Sequence, residues 1–186
     1  YLMLGLWFLK RFLEFYFKPA VAWFVILAVF SGTNLFYYSL IDGMMSHVYS
    51  FFLFSLFLFS LKKYLLSGRY SYFVLLSACL ALAVLIRPTN FLLVLLLFFW
   101  DAGTPGERAR RAGQFLKPAF LLVILGFLFA VFLPQLVYWK YLSGHWLHFS
   151  YRGEGFVNRW HPQVAAVLFS PLNGLFAYTP LALVFV

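Results

Sequence analysis

The chain has 186 residues, of which 65% are hydrophobic and 10% are charged. Soluble domains are about 45–50% apolar and about 25% charged, so a water-soluble fold of this composition would leave a large apolar surface in water. The net charge of +9 could attract nucleic acid, but basic residues spread over many interhelical loops are more typical of topology signals. We therefore predict an all-α, polytopic transmembrane helix bundle that does not bind nucleic acid.

Apolar runs and short polar stretches alternate over the first part of the chain. Residues 1–9 are predicted to be the end of one span. Pro19 can begin the next helix, because its missing N–H costs nothing in a first turn, and that helix is predicted to end near Tyr38. A transmembrane helix needs about 20 apolar residues, and residues 47–66 form a further predicted span.

The apolar stretch 70–100 is interrupted by Arg87-Pro88-Thr89-Asn90. Pro88 disfavours helical geometry at the residue before it, so two short, tilted spans meeting at this break are predicted. Segments of about 15 residues do not cross a hydrocarbon core of about 30 Å. The break is therefore expected below the membrane surface, in a recess lined by protein or water.

Residues 101–117 are predicted to be a basic cytoplasmic loop with an interfacial helix, and 118–138 a further span. Residues 139–161 are predicted to be a polar external loop, before a last apolar region interrupted by proline and glycine. The whole chain is interpreted as one transmembrane domain with about six to eight full or partial spans. It starts without a methionine and stops inside an apolar run, so we expect it to be a fragment.

Successive loops of a polytopic protein alternate between the two sides of the membrane, and this alternation divides the basic residues unequally. One side collects Lys10, Arg11, Lys18, Lys62, Lys63, Arg69, Arg108, Arg110, Arg111 and Lys117. The other side collects Arg87, Lys140, Arg152 and Arg159. Excess Lys and Arg mark the cytoplasm, so the first side is predicted to be cytoplasmic. The histidines and the carboxylates Asp42 and Glu154 then fall on the opposite side.

Three polar residues outside the external loop are candidates for substrate contact. Arg87 is the clearest, because an ionisable group at membrane depth is costly and usually pairs or lines a pathway. Its planar guanidinium matches a phosphate or carboxylate, although snorkelling to the head groups would also explain it. Asp42 and His47 lie five residues apart at a helix entrance, where they could contact substrate or serve only as loop and interface residues.

The external loop mixes cations with aromatic residues, a composition that suits an anionic ligand or the face of a sugar. An interfacial belt of aromatic and basic residues is the alternative interpretation. Tyr151, Glu154 and Arg159 are the candidate binding residues of this loop. His145 and His148 have no third ligand at a recognisable spacing, so no metal site is assigned. No cofactor is assigned, and a divalent metal is possible but unsupported.

Six segments together resemble bacterial polytopic glycosyltransferases of the protein-mannosyltransferase-like (GT-C) superfamily. They are 32–38 (GTNLFYY), 45–51 (MSHVYSF), 85–90 (LIRPTN), 135–140 (QLVYWK), 151–156 (YRGEGF) and 168–174 (LFSPLNG). The resemblance implies a multi-pass enzyme of a bacterial inner membrane. Such an enzyme transfers a sugar with inversion, from a polyprenyl-phosphate donor to an acceptor outside the cytoplasm. The acceptor, whether glycan, lipid or protein, is not indicated.

The same resemblance implies roles for individual residues. Arg87 matches a basic residue near the donor phosphate, and Asp42 and His47 match positions at the external rim of the cavity. The catalytic carboxylate of such enzymes lies in the first external loop, which is expected upstream of Tyr1, so no catalytic residue is assigned. A flippase or transporter for lipid-linked sugars would use the same cations without that carboxylate, and a non-catalytic membrane subunit remains a further alternative.

Overall fold

The computed structural model describes residues 1–42, 45–148, 160–171 and 174–184, and these are helical with no strand among them. This confirms the all-α class. The described residues form two compact units, which are treated separately. The first comprises Tyr1–Phe12 and Tyr49–Leu147, and the second comprises Leu13–Val48 and His148–Val186.

The α-helices in chain order are α1 (Leu2–Leu13), α2 (Pro19–Gly32), α3 (Asn34–Leu40), α4 (His47–Ser67), α5 (Tyr70–Ile86), α6 (Val94–Phe99), α7 (Pro105–Phe115), α8 (Pro118–Ser143), α9 (Val164–Phe169) and α10 (Leu175–Tyr178). Two 3₁₀ helices, Pro88–Leu93 and Pro180–Val184, complete the regular structure of the described residues. Helix α8 extends five residues beyond the predicted end of its span at residue 138, into the stretch predicted as an external loop.

Two of the described helices, α4 and α8, are long and apolar enough to cross a membrane. At 1.5 Å per residue they measure about 31 Å and about 39 Å, against a hydrocarbon core of about 30 Å. Helices α2 and α3 could form a third span as a pair bent by 68°. The structure thus supports fewer spans than the six to eight predicted, because α1, α5 and Pro88–Phe99 are too short to cross alone.

The bend between α2 and α3 occurs at Thr33, where the sequence predicts one continuous helix. Thr33 adopts an extended conformation, with φ −130° and ψ 169°. Its hydroxyl donates to the carbonyl of Val29 at 2.6 Å and accepts from the N–H of Leu35 at 3.2 Å. Threonine side chains compete with the backbone in this way, so one residue closes the first helix and caps the second.

Helix α5 occupies the centre of the first unit. Its buried residues are Phe73, Leu76, Ser77, Cys79, Leu80, Ala81, Ala83 and Val84. Partners come from α4, α8 and the residues after the break, including Phe57, Leu97 and Ile124. Small side chains at several of these positions allow helices to approach on more than one side of α5.

Helix α8 presents an apolar stripe to the outside of the first unit. Leu122, Leu125 and Phe129 are 68%, 58% and 66% exposed, and Leu133 and Val137 continue the stripe with helical spacing. In water such a stripe would be unfavourable, whereas in a bilayer it contacts lipid chains. The exposed stripe and the length of α8 are both consistent with an integral membrane protein.

Candidate functional site

The break after α5 places Arg87 at an exposed helix end. Arg87 is extended, with φ −146° and ψ 121°, as the residue before a proline usually is. Its N–H still donates to the carbonyl of Ala83 at 3.1 Å. The Asn90 side chain donates to the same carbonyl at 2.9 Å, and the Asn90 N–H donates to the carbonyl of Arg87 at 2.9 Å. Asn90 therefore fixes the geometry of the break, a role that the sequence does not reveal.

Two mainly apolar cavities are lined by residues immediately before and immediately after Arg87. The first has a volume of about 300 Å³ and is lined by Tyr1, Tyr49, Phe52, Leu53, Leu82, Leu85 and Ile86. The second has a volume of about 400 Å³ and is lined by Phe54, Thr89, Asn90, Leu92, Leu93 and Leu96. A cation thus lies between two stretches of chain that contribute to grooves suited to hydrocarbon.

The remote end of the same unit is closed by an ion pair. Lys62 Nζ lies 2.6 Å from Asp101 Oδ2, so the last turns of α4 and the second residue after α6 meet there. Two residues separate the end of α4 from the start of α5, whose 17 residues rise about 25 Å before Arg87. The first cavity contains residues from the start of α4 and the end of α5. Arg87 therefore lies at the opposite end of the unit from Lys62.

Asp42 and His47 belong to the second unit. Asp42 is half-buried, and its N–H donates to the carbonyl of Tyr37 at 3.1 Å. The His47 ring stacks on Tyr38 with 4.2 Å between ring centroids and 17° between planes. Tyr38 is nine residues from His47 and no local periodicity links the two, so sequence reasoning did not pair them. Arg87 belongs to the first unit.

Tyr151, Glu154 and Arg159 lie outside the described residues, and their predicted roles stay predictions. The first residues of the predicted external loop belong to helix α8. That helix stops at Gly144, which has the left-handed φ of 74° that favours glycine. Lys140 Nζ donates to the carbonyl of Gly144 at 2.7 Å and lies 5.9 Å from the centre of the Trp146 ring. Lys140 therefore caps a helix end.

No group of three or more metal-ligating side chains comes together in the parts of the chain that the structure describes. No protein-family model matches the chain, and no curated protein and no solved structure matches it either.

Proposed function

We propose that this chain forms the donor-binding part of a GT-C-like membrane glycosyltransferase. The enzyme would transfer a sugar, with inversion, from a polyprenyl-phosphate donor to an acceptor on the non-cytoplasmic side of a bacterial inner membrane. In this proposal the short apolar helices α1, α5 and Pro88–Phe99 act as partial spans beside α4 and α8. The resemblance in sequence suggests this reaction, and the surroundings of Arg87 support it.

The position of Arg87 between the linings of two apolar cavities is the observation that carries the proposal. A polyprenyl-phosphate sugar combines a long hydrocarbon chain with an anionic phosphate. Cavities of about 300 and 400 Å³ can hold parts of the hydrocarbon chain. The guanidinium of Arg87 can donate two parallel hydrogen bonds to phosphate oxygens, which an ammonium group cannot do in the same geometry.

The proposed chemistry needs charge stabilisation at the donor phosphate. A carboxylate takes the proton from the acceptor, and a cation stabilises the lipid phosphate as it departs. Arg87 is assigned the second role. No residue is assigned as the base. Asp42 and His47 are proposed as substrate contacts within the second unit, where the His47 ring stacks on Tyr38.

The test measures binding of a radiolabelled polyprenyl-phosphate hexose by the full chain in detergent. We expect Arg87→Gln to weaken binding about tenfold or more, because a hydrogen bond to a charged group contributes about 1.5–3 kcal/mol. Arg87→Lys should recover part of the loss, since it keeps the charge without the planar fork. Arg69→Gln is the matched control, because Arg69 is also exposed and flanks the other end of α5.

Equal donor binding by Arg87→Gln and the parent chain would refute the phosphate role. Thermal unfolding of each variant separates lost binding from lost folding. Release of sugar from the bound donor, measured in membranes with mixed acceptors, separates a transferase from the alternatives. Donor binding that depends on Arg87, without sugar transfer, would favour the flippase or the non-catalytic subunit.

A further inference from the structure

A third cavity lies at the other end of the first unit, where α4 ends and α7 packs. It has a volume of about 210 Å³ and is lined by Tyr64, Leu65, Gly68, Arg110, Arg111 and Gln114. Two of these side chains are cationic and none is acidic. A water molecule occupies about 30 Å³ in the liquid, so the cavity can hold a group several times larger.

Arg111 is almost fully buried at this end, although the sequence predicts a purely topological role for the basic residues of 101–117. Only 7% of its surface is exposed. Its two terminal nitrogens donate to the carbonyls of Trp100 and Asp101, which close the end of α6. Its Nε–H is buried and has no hydrogen-bond partner among the described residues. An unpaired buried donor of a charged group is costly, and Arg111 keeps its full positive charge in the lining of the cavity.

The other polar groups of the cavity are also arranged as donors. The Gln114 side-chain amide donates to Tyr64 Oη at 2.6 Å, so the hydroxyl hydrogen of Tyr64 is available for another acceptor. Arg110 is exposed and precedes Arg111 on α7. Gly68 has no side chain and a φ of 63°, and an added Cβ there would meet open space. The lining therefore offers hydrogen-bond donors and no carboxylate, a combination that selects an anion.

The charge around the cavity favours an anion as well. Residues 62–69 and 101–117 contain seven Lys and Arg against two acidic residues. Both acidic residues are already engaged. Asp101 pairs with Lys62, and Glu107 forms a capping box with Thr104 at the start of α7. Excess positive potential of this kind attracts phosphate groups over distances of about 10 Å at ordinary ionic strength.

The cavity is also near the ends of both candidate spans of this unit. Helix α4 ends at Ser67 and α8 begins at Pro118. The Tyr64 ring contacts Phe115 at the end of α7 and Phe120 in α8, with 5.8 and 6.3 Å between centroids, and so links the end of α4 to the start of α8. With α4 and α8 as membrane spans, a cavity at these two ends would lie at the level of the lipid phosphates.

We propose that this cavity binds an anionic phosphate group, supplied by a phospholipid head group or by a free phosphate. The site is independent of the proposed donor site, because it lies at the opposite end of the unit from Arg87. Arg110 donates to the phosphate oxygens, and the guanidinium of Arg111 places a second positive charge in the cavity lining. Tyr64 supplies a second donor through its hydroxyl.

The test is native mass spectrometry of the full chain in a neutral detergent, with phosphatidylglycerol or phosphatidylcholine of identical acyl chains. We expect one retained phosphatidylglycerol per chain, with at least tenfold preference over phosphatidylcholine. Arg110→Gln should lower that retention about tenfold, by loss of charged hydrogen bonds. Lys117→Gln removes the same charge from an exposed residue that does not line the cavity, and it should retain the lipid like the parent chain.

Competition with inorganic phosphate distinguishes the two sources. Retention of phosphatidylglycerol that millimolar phosphate does not reduce assigns the site to a lipid head group. Displacement by phosphate, or phosphate binding without lipid retention, assigns it to a free phosphate group. Equal retention of both lipids without phosphate binding would overturn the proposal, as would unchanged binding in a folded Arg110→Gln variant. The melting temperature of Arg110→Gln establishes that it is folded.

Discussion

The contact between α1 and α4 depends on a residue without a side chain. A Cβ added to Gly5 would lie 2.7 and 2.8 Å from two ring atoms of Phe51 and 3.2 Å from the Cα of Phe52. The ring can move, but the backbone of α4 can do so only by displacing the helix. We therefore expect Gly5→Ala to separate α1 from α4 or to force Phe51 into a strained rotamer.

The size of this effect follows from two opposing terms. Replacing glycine by alanine in a helix gains about 1 kcal/mol of helix propensity. Overpacking a tight contact costs about 1–3 kcal/mol. Gly126 provides the matched control, because it lies within α8 and an added Cβ there meets nothing within 4 Å. Gly5→Ala should therefore be about 1–3 kcal/mol less stable than Gly126→Ala.

The assay is reversible unfolding of the full chain in mixed micelles of a neutral detergent and dodecyl sulfate, followed by helical circular dichroism. A double-mutant cycle with Phe51→Ala isolates the contact, since removal of the ring should relieve most of the penalty at Gly5. Equal stabilities of Gly5→Ala and Gly126→Ala would refute the close packing of α1 on α4. Additive effects of Gly5→Ala and Phe51→Ala would show that the ring is not the obstacle.

Three further predictions concern the first unit. Arg111→Met should lower the free energy of unfolding by about 2–4 kcal/mol, because the carbonyls of Trp100 and Asp101 lose their donors, and the same unfolding assay measures it. Asp101→Asn, which keeps a residue tolerant of the φ of 56°, should cost at most about 1 kcal/mol, because Asp101 is 44% exposed in its pair with Lys62. A high-salt titration should reduce that difference. Cys79 is 3% exposed, so it should react with a maleimide far more slowly than a cysteine introduced at the exposed Lys117, just before α8; comparable rates would contradict the burial of α5.

Local rules in the sequence were sufficient for part of the fold. Helical structure followed from long apolar runs without strand periodicity, and the break after α5 followed from Pro88, whose ring restricts the residue before it. The starts of α2 and α8 at Pro19 and Pro118 are steric as well, since proline fits a first helical turn. Each of these rules acts between residues that are close along the chain.

Part of the candidate site was also predictable from the sequence. Arg87 is conspicuous because placing a cation within an apolar stretch costs free energy, whatever surrounds it. Asn90 was not predictable as the residue that fixes the break, and the stack of Tyr38 on His47 was not predictable either. Both depend on side-chain directions across a break in the helix, which residue spacing does not specify.

Tertiary structure decided which residues are buried, and thereby which charges have structural roles. Sequence alone determined a helical, strongly apolar chain with an arginine at a helix break. It could not determine that α5 is central while one face of α8 is exposed, because both are equally apolar along their length. Nor could the sequence tell that Arg111 is buried and Arg110 exposed. The carbonyls that accept hydrogen bonds from Arg111 lie ten and eleven residues earlier, and only the packing of α7 brings them to it. Burial depends on partners remote in sequence, and the structure supplies them.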